Sequence, residues 1–319
     1  MTSTRAIFRR GLAAALFGLA LRPEAAVAVD ARPQPPMGMF VRFAPLVGER
    51  GGREEGLQDW ERRLGRPASS LIATDFYGEG NWSSFAAAKW KPGLWSKQNR
   101  LRKLAWSIPL TFKGTPLKDV AAGLHDSDFR VAAEAIAAAQ PDAVIRIGWE
   151  MNGDWMAWAA AGVEVEYIGA YRHAVRVFRA ASPRFKFDWC VNWGRNQGPP
   201  DLLYPGDDVV DVIGADVYDL PYEADVVKRW REKVLETPFG LDWLVRFSAQ
   251  HDKKMSVPEW GVGLSGAADD PYFIDRMRDW FAAHADRIAY QAYFEVPPHD
   301  FESGNFPKSE ARFLQAFSR

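Results

Sequence analysis

Apolar and polar positions along this chain alternate between two periods. From Met37 onward, short β-rich apolar runs are separated by stretches whose apolar residues recur every three or four positions. That is the pattern of parallel strands joined by crossover helices. It predicts strands over 37–43, 70–76, 104–112, 143–149, 185–191, 209–217, 254–259 and 288–295, with the clearest helices over 54–65, 128–140, 163–181, 224–248 and 271–286. Leu57, Trp60 and Leu64 mark one face of the first helix, and Asp126 or Ser127 is placed to cap the second, which stops before Pro141. No second domain, internal repeat or low-complexity linker interrupts the series. Eight such units in about 290 residues fit the α/β class as a single (β/α)8 barrel over 29–319. An open sheet fits less well, because nothing marks a switch point.

The first 28 residues follow a different rule. Arg5, Arg9 and Arg10 precede an apolar run from Gly11 to Leu21, and Ala26-Val27-Ala28 has the form of a cleavage site. Residues 1–28 therefore read as an export signal, of general secretory or twin-arginine type, and not as a membrane span, which takes roughly 20 apolar residues. A secreted or periplasmic protein of bacterial type is expected, with no membrane span after removal of the signal. A monomer is the simplest expectation.

Composition narrows the chemistry. Lys+Arg number 40 against 41 Asp+Glu, for a net charge of −1. Removing 1–28 takes away four Arg and one Glu and leaves −4, so no basic excess exists for nucleic acid. The lone Cys190 excludes a disulfide framework and multi-cysteine metal sites, and reads as a small buried hydrophobe. The five His are scattered without H-E-x-x-H, and there is no G-x-S-x-G elbow, P-loop or G-x-G-x-x-G. No cofactor and no metal are expected. What stands out is the 14 Trp, 9 Tyr and 20 Phe.

Barrel chemistry belongs at the C-terminal ends of the strands. The fourth strand ends in Trp149-Glu150, followed by Met151-Asn152-Gly153-Asp154-Trp155 and then Trp158. The seventh ends in Pro258-Glu259-Trp260-Gly261. Each delivers one carboxylate at its tip, and one barrel mouth can hold both. Glycoside hydrolysis needs such a pair, one carboxyl protonated to donate to the leaving oxygen and one ionised to attack or activate water. Glu295, at the eighth strand end, ranks below these two because Pro297-Pro298 makes its surroundings look like a structural turn.

The aromatic residues point to the same ligand class. Trp106, Trp149, Trp155, Trp158, Trp189, Trp193 and Trp260 lie on or just after strands, and Asn152, Asn192, Arg195, Asn196 and Asp216 accompany them. A pyranose packs its C–H face on indole while its hydroxyls seek polar groups. Trp155, Trp158 and Trp193, in loops, are the better platforms; Trp106 and Trp189, inside strands, suit barrel wall equally well. Strand parity places Arg146 and Gly148 on the face of Glu150, so a buried Arg146 needs a carboxylate from Asp75, Asp188 or Asp216. On the sixth strand, Gly214, Asp216 and Tyr218 share a face, which lets Tyr218 reach the neighbouring carboxylate.

Three stretches carry a likeness to a known family: Arg146 to Gly153 with Trp155 and Trp158, Tyr204 to Tyr218, and Pro258 to Gly261. Together they resemble glycoside hydrolase family 26, the beta-mannanase family of the retaining (β/α)8 glycosidases. The resemblance implies Glu150 as acid/base, Glu259 as nucleophile and Tyr218 in contact with the nucleophile. Trp149, Asn152, Trp155, Trp158, Asn192, Trp193, Asp216 and Trp260 join Tyr218 as expected substrate-binding residues. A retaining mechanism implies carboxyl groups about 5–5.5 Å apart. One departure bears on specificity, for the family has His directly before the acid/base and this chain has Trp149.

The expected function is a retaining endo-β-glycanase acting on a β-mannan-type polysaccharide by double displacement. Mixed-linkage β-glucan, β-1,3-xylan or an exopolysaccharide are alternative substrates. The rival from another class is a glycan-binding protein of weak catalytic power, with a Trp-lined cleft that holds polysaccharide without cutting it.

Overall fold

Strand and helix periods in the chain resolve into eight parallel strands that close on themselves. The computed structural model describes residues 34–40, 60–65, 71–75, 80–98, 103–194, 198–264 and 269–318. The strands are β1 (Met37–Phe40), β2 (Leu71–Asp75), β3 (Leu104–Ile108), β4 (Val144–Ile147), β5 (Lys186–Asn192), β6 (Val212–Asp219), β7 (Lys254–Val262) and β8 (Ile288–Phe294). They pair in chain order, and β8 pairs with β1 to complete the barrel. The expected single (β/α)8 barrel is thus the observed fold. Residues 1–28, 41–43, 54–59, 70, 76, Arg195 and Asn196 lie outside the described residues, as does the side chain of Asp75. No helix among the described residues is long and apolar enough to cross a membrane.

The alternation within each strand decides what fills the barrel. On β4, β5 and β6, Ile145, Ile147, Phe187, Trp189, Ile213, Ala215 and Val217 point outward into the main hydrophobic core beneath the helices. Trp106 and Trp189 are fully buried there, so both are barrel wall. The opposite parity sends Arg146, Asp188 and Asp216 inward. Arg146 on β4 reaches Asp216 on β6 and Glu259 on β7, contacts between non-adjacent strands that only the lumen permits. Barrel interiors are normally layered with branched aliphatics. Here much of the mouth-side layer is polar.

The helices follow their apolar stripes. In helix Glu164–Ala181 the buried residues Tyr167, Ala170, Tyr171, Ala174, Val175 and Phe178 recur at one face. Several expected boundaries need correction. The third strand stops at Ile108 because Pro109 cannot donate to the ladder. The sixth starts at Val212, not at 209, because Gly206 (φ 111°) and Val209 close a turn. The helix starting at Asp126 is entered through His125, and Asp126 instead pairs with His173, Nε2 to Oδ1 at 2.6 Å. The stretch 224–248 is two segments, Val226–Arg229 running into a wide turn to Leu235, and then Leu241–Gln250. Pro238 and Phe239, the latter in the left-handed region at φ 59°, break it. Further helices lie at Trp82–Ala87, Lys91–Gln98, Leu117–Ala121, Pro271–Ala283 and Pro307–Phe317.

Candidate active site

Glu150 is placed by a turn that few residues tolerate. After β4 the chain enters the left-handed region at Gly148 (φ 53°) and again at Glu150 (φ 52°), a conformation that costs a side-chain-bearing residue about 1–2 kcal/mol. Three bonds hold it there. Tyr167 Oη donates to Gly148 O at 3.1 Å, Glu150 N donates to Cys190 O at 2.9 Å, and Gly153 N donates to Glu150 O at 3.0 Å. A Cβ on Gly148 would press on Leu110 at 3.0 Å, so the turn also needs glycine for space.

Glu259 is placed by a strand irregularity. The β6–β7 register slips between Gly214 and Val217, and the β7–β8 register slips again between Val257 and Trp260. β7 therefore carries an extra residue around Pro258-Glu259, which is where proline, lacking an N–H, is accommodated within a sheet. The bulge turns Glu259 into the lumen and sends Trp260 outward. There Trp260 is fully buried against Phe273, Phe281, Phe313 and Phe317 and donates Nε1 to Gln291. The expected substrate contact of Trp260 is corrected: it is core.

Both carboxyl groups are nearly closed to solvent, Glu150 at 7% and Glu259 at 6% exposure. Glu259 accepts from Arg146 Nη2 and, at 2.8 Å, from Tyr218 Oη. Arg146 also donates to both oxygens of Asp216 at 2.9 Å and to Ser107 Oγ at 3.0 and 2.8 Å. Burial acts to lower the Arg146 pKa, but Asp216 and Glu259 outweigh it and the guanidinium stays charged. Of the anticipated partners whose side chains are described, Asp216 is the one that Arg146 uses. Asp188 instead accepts from Tyr290 and Ser256.

Glu150 has a different environment. Its Oε1 accepts from Asn192 Nδ2 at 2.6 Å and its Oε2 from Trp155 Nε1 at 2.7 Å. Burial, followed by the Glu259 charge, raises its pKa to about 7, against the opposing pull of Asn192, Trp155 and Arg146. Neither donor to Glu150 carries a formal charge, whereas Glu259 has a guanidinium. One carboxyl is thus set up to hold a proton, and the other has its charge balanced.

A cavity of about 460 Å³ opens in front of Glu150, with Trp155, Asn192, Trp193, Tyr218 and His299 also along its wall. Trp155 is half exposed and lies over Gly153, where any Cβ would strike the indole at 2.4 Å. Trp193 anchors its Nε1 on Lys233 O at 3.0 Å. The remaining expected contacts sit behind the wall. Asn152 exchanges two hydrogen bonds with the backbone of Asn192, extending the β4–β5 pairing past the strand ends. Trp158 is buried and donates to Trp149 O at 2.6 Å, while Trp149 packs under the Arg146 guanidinium, 5.0 Å from its ring centre. Asp216 is fully buried. These four hold the site in shape, and the structure does not bring them to its surface.

His299, which in the sequence stands only as one of five scattered histidines, joins the cavity wall. Its ring stacks on Tyr218 with centroids 4.2 Å apart, and its Nδ1 bonds Val262 O at 2.9 Å. Burial lowers its pKa, favouring the neutral ring. Only its place in the loop after the eighth strand could have pointed to it. Glu295 accepts from the backbone N–H groups of Phe301 and Glu302 and so fixes that loop.

The fold and the site together define a (β/α)8 barrel with two buried carboxyl groups at the ends of β4 and β7. Residues 130–239 match the model of glycosyl hydrolase family 26, so the likeness read from the motifs is borne out. A mannan endo-1,4-beta-mannosidase of Bifidobacterium adolescentis is 28% identical over 153 residues, 44% of this chain; the match spans 15% of that relative's length. Among solved structures, the catalytic domain of an endo-beta-1,4-mannanase from Bacillus sp. JAMB-750 superposes with a TM-score of 0.59 at 18% identity, covering 89% of this chain and 85% of that one. A modular endo-beta-1,4-mannanase from Cellulomonas fimi does so with a TM-score of 0.61 at 20% identity, covering 90% and 74%. At such identities these structures establish the shared fold.

Proposed function

We propose that the protein is a retaining β-glycanase that cleaves a mannan-type polysaccharide by double displacement. The observation that carries this is the contrast between the two carboxyl groups. Glu150 is raised to about 7 on the cavity wall, and Glu259 is held by a guanidinium and a phenol behind it. In the first step a Glu259 oxygen attacks the anomeric carbon as Glu150 protonates the departing glycosidic oxygen. In the second, Glu150 takes a proton from water, whose oxygen displaces Glu259 and restores the configuration. Burial and the neighbouring Glu259 charge keep the Tyr218 phenol protonated, so it remains a donor to the nucleophile throughout. The family match and the mannanase relatives favour mannan, and an N-terminus of export-signal type supports action in the periplasm or outside the cell.

Trp149 at the position where the family has His favours keeping mixed-linkage β-glucan, β-1,3-xylan and bacterial exopolysaccharide in the test. Each polysaccharide is incubated with the protein, and new reducing ends are counted while the anomer first released is read by proton NMR. The β-anomer from a β-linked chain is the expected result, with activity lost in Glu259→Ala and partly returned by azide as an inverted product. First release of the α-anomer would refute retention. Binding to polysaccharide without any release of ends would favour the glycan-binding reading.

A further inference from the structure

The cavity does not end at Glu150. It continues along the loop after β6, past Asp219 and Leu220 to Tyr222, with Thr237 and Leu264 on the facing rim. Tyr222 is 70% exposed, so the face of its ring is open to the same cavity that Glu150 lines. The loop that carries it is tightly stapled. Leu220 N donates to Tyr218 O at 3.1 Å and Tyr222 N to Leu220 O at 2.8 Å, two successive tight turns around Pro221. Buried Arg229 grips the loop from below. Its Nε and Nη2 hold both Asp219 oxygens at 2.6 and 3.0 Å, its Nη1 donates to Glu223 O at 2.7 Å, and its Nη2 reaches Asp270 at 2.8 Å. Asp225 closes the far end by capping the next helix, accepting from Val227 N and Lys228 N. The ring is therefore presented on backbone that has already lost its freedom, so stacking on it entails little further loss of backbone entropy.

We propose that Tyr222 is the platform of a distal subsite, taking the apolar face of a sugar unit beyond those held at the cleavage point, and that the loop 219–225 pinned by Arg229 makes the protein prefer long chains. The occupant is a β-linked glycan chain, because the platform is continuous with the cavity that holds Glu150. This inference rests on the glycanase reading. It assigns to Arg229 a positioning role, with its charge spent on Asp219 and Asp270 inside the fold.

Isothermal titration with Glu150→Gln protein, against manno-, mixed-linkage gluco- and β-1,3-xylo-oligosaccharides from disaccharide to hexasaccharide, tests it. The expected result is affinity that rises with chain length, with the gain for the longest members reduced about three- to tenfold by added Tyr222→Ala and returned by Tyr222→Trp. The ratio of kcat/KM for long over short substrates in the otherwise intact protein should fall by the same factor. Cleavage of a glycan with no change of length dependence in Tyr222→Ala overturns the platform alone. A wild-type protein that neither binds nor cleaves any glycan, including the full-length polysaccharides, overturns both readings.

Discussion

Glu150 stands between influences of opposite sign, which makes its titration a direct probe of the site. Burial and the Glu259 charge raise it, while the hydrogen bonds from Asn192 and Trp155 lower it. Glu259→Gln, which removes the charge, should bring the Glu150 pKa down from about 7, and Trp155→Phe, which removes a donor, should move it up. Carboxyl carbon NMR of labelled protein reads both changes without any substrate. Movement in the same direction in the two variants would contradict the arrangement described. The residue scale is also where the sequence was most legible. Glu150, Glu259 and Tyr218 stand at strand ends, and the even spacing of Gly214, Asp216 and Tyr218 put the tyrosine within reach of the carboxylate of the next strand, where it bonds Glu259. His299 was not legible, because it comes from a loop and meets Tyr218 only through packing.

At the scale of elements, the polar lumen depends on one residue that has no side chain. Gly214 on β6 lies between Asp188 on β5 and Ser256 on β7, whose side chains join across it at 2.7 Å. A Cβ at Gly214 would lie 2.5 Å from Ser256 Oγ and 2.8 Å from Asp188 Oδ1. Gly214→Ala should therefore force these apart and destabilise the protein by about 1–3 kcal/mol, seen as an earlier midpoint in urea. Loss of the Asp188 bond should accompany it, whereas Gly114→Ala, with nothing near its added Cβ but a φ of 91°, should report backbone strain alone. Strand parity was readable for β4, β5 and β6 because each keeps strict alternation. Trp260, expected at the site from its place at a strand end, is sent outward because β7 carries a bulge, and a bulge shifts every later side chain to the other face. Pro258 was the signal available. The break at Pro238 was likewise visible in sequence, but the apolar stripes on both sides of it concealed it.

At the scale of the whole molecule, eight periodic units were enough to read a closed barrel, since parallel strands with short crossover helices close once no switch point interrupts them. The same reading could not show how much negative charge the barrel buries, since that depends on which acids face the lumen. Burial raises Glu150 to about 7, Asp188 to about 6 and Glu295 to about 8. A carboxyl whose folded pKa lies above its unfolded value binds its proton more tightly in the folded state. Its contribution is full below the ordinary carboxyl range and is lost as pH rises through the folded value. Exposed acids with cationic partners, such as Asp142 with Lys103 and Asp208 with Arg172, are lowered and contribute in the opposite sense, but their change falls at more acid pH. The contribution of these raised carboxyls to the melting temperature should then decline between about pH 5 and about pH 8, while His284 and His299, lowered by burial, act in the opposite sense within that range. Glu150→Gln isolates one part of this decline, since it keeps the size of the side chain and cannot ionise. Rearranged hydrogen bonding to Asn192 and Trp155 adds an offset that does not vary with pH. The difference in melting temperature between variant and wild type should therefore shift in favour of the variant as pH rises from about 5 to about 8, with most of the shift near the Glu150 pKa of about 7. Parallel curves for the two proteins across that range would mean that Glu150 is not held as a buried acid, and the division of labour between the two carboxyl groups would have to be abandoned.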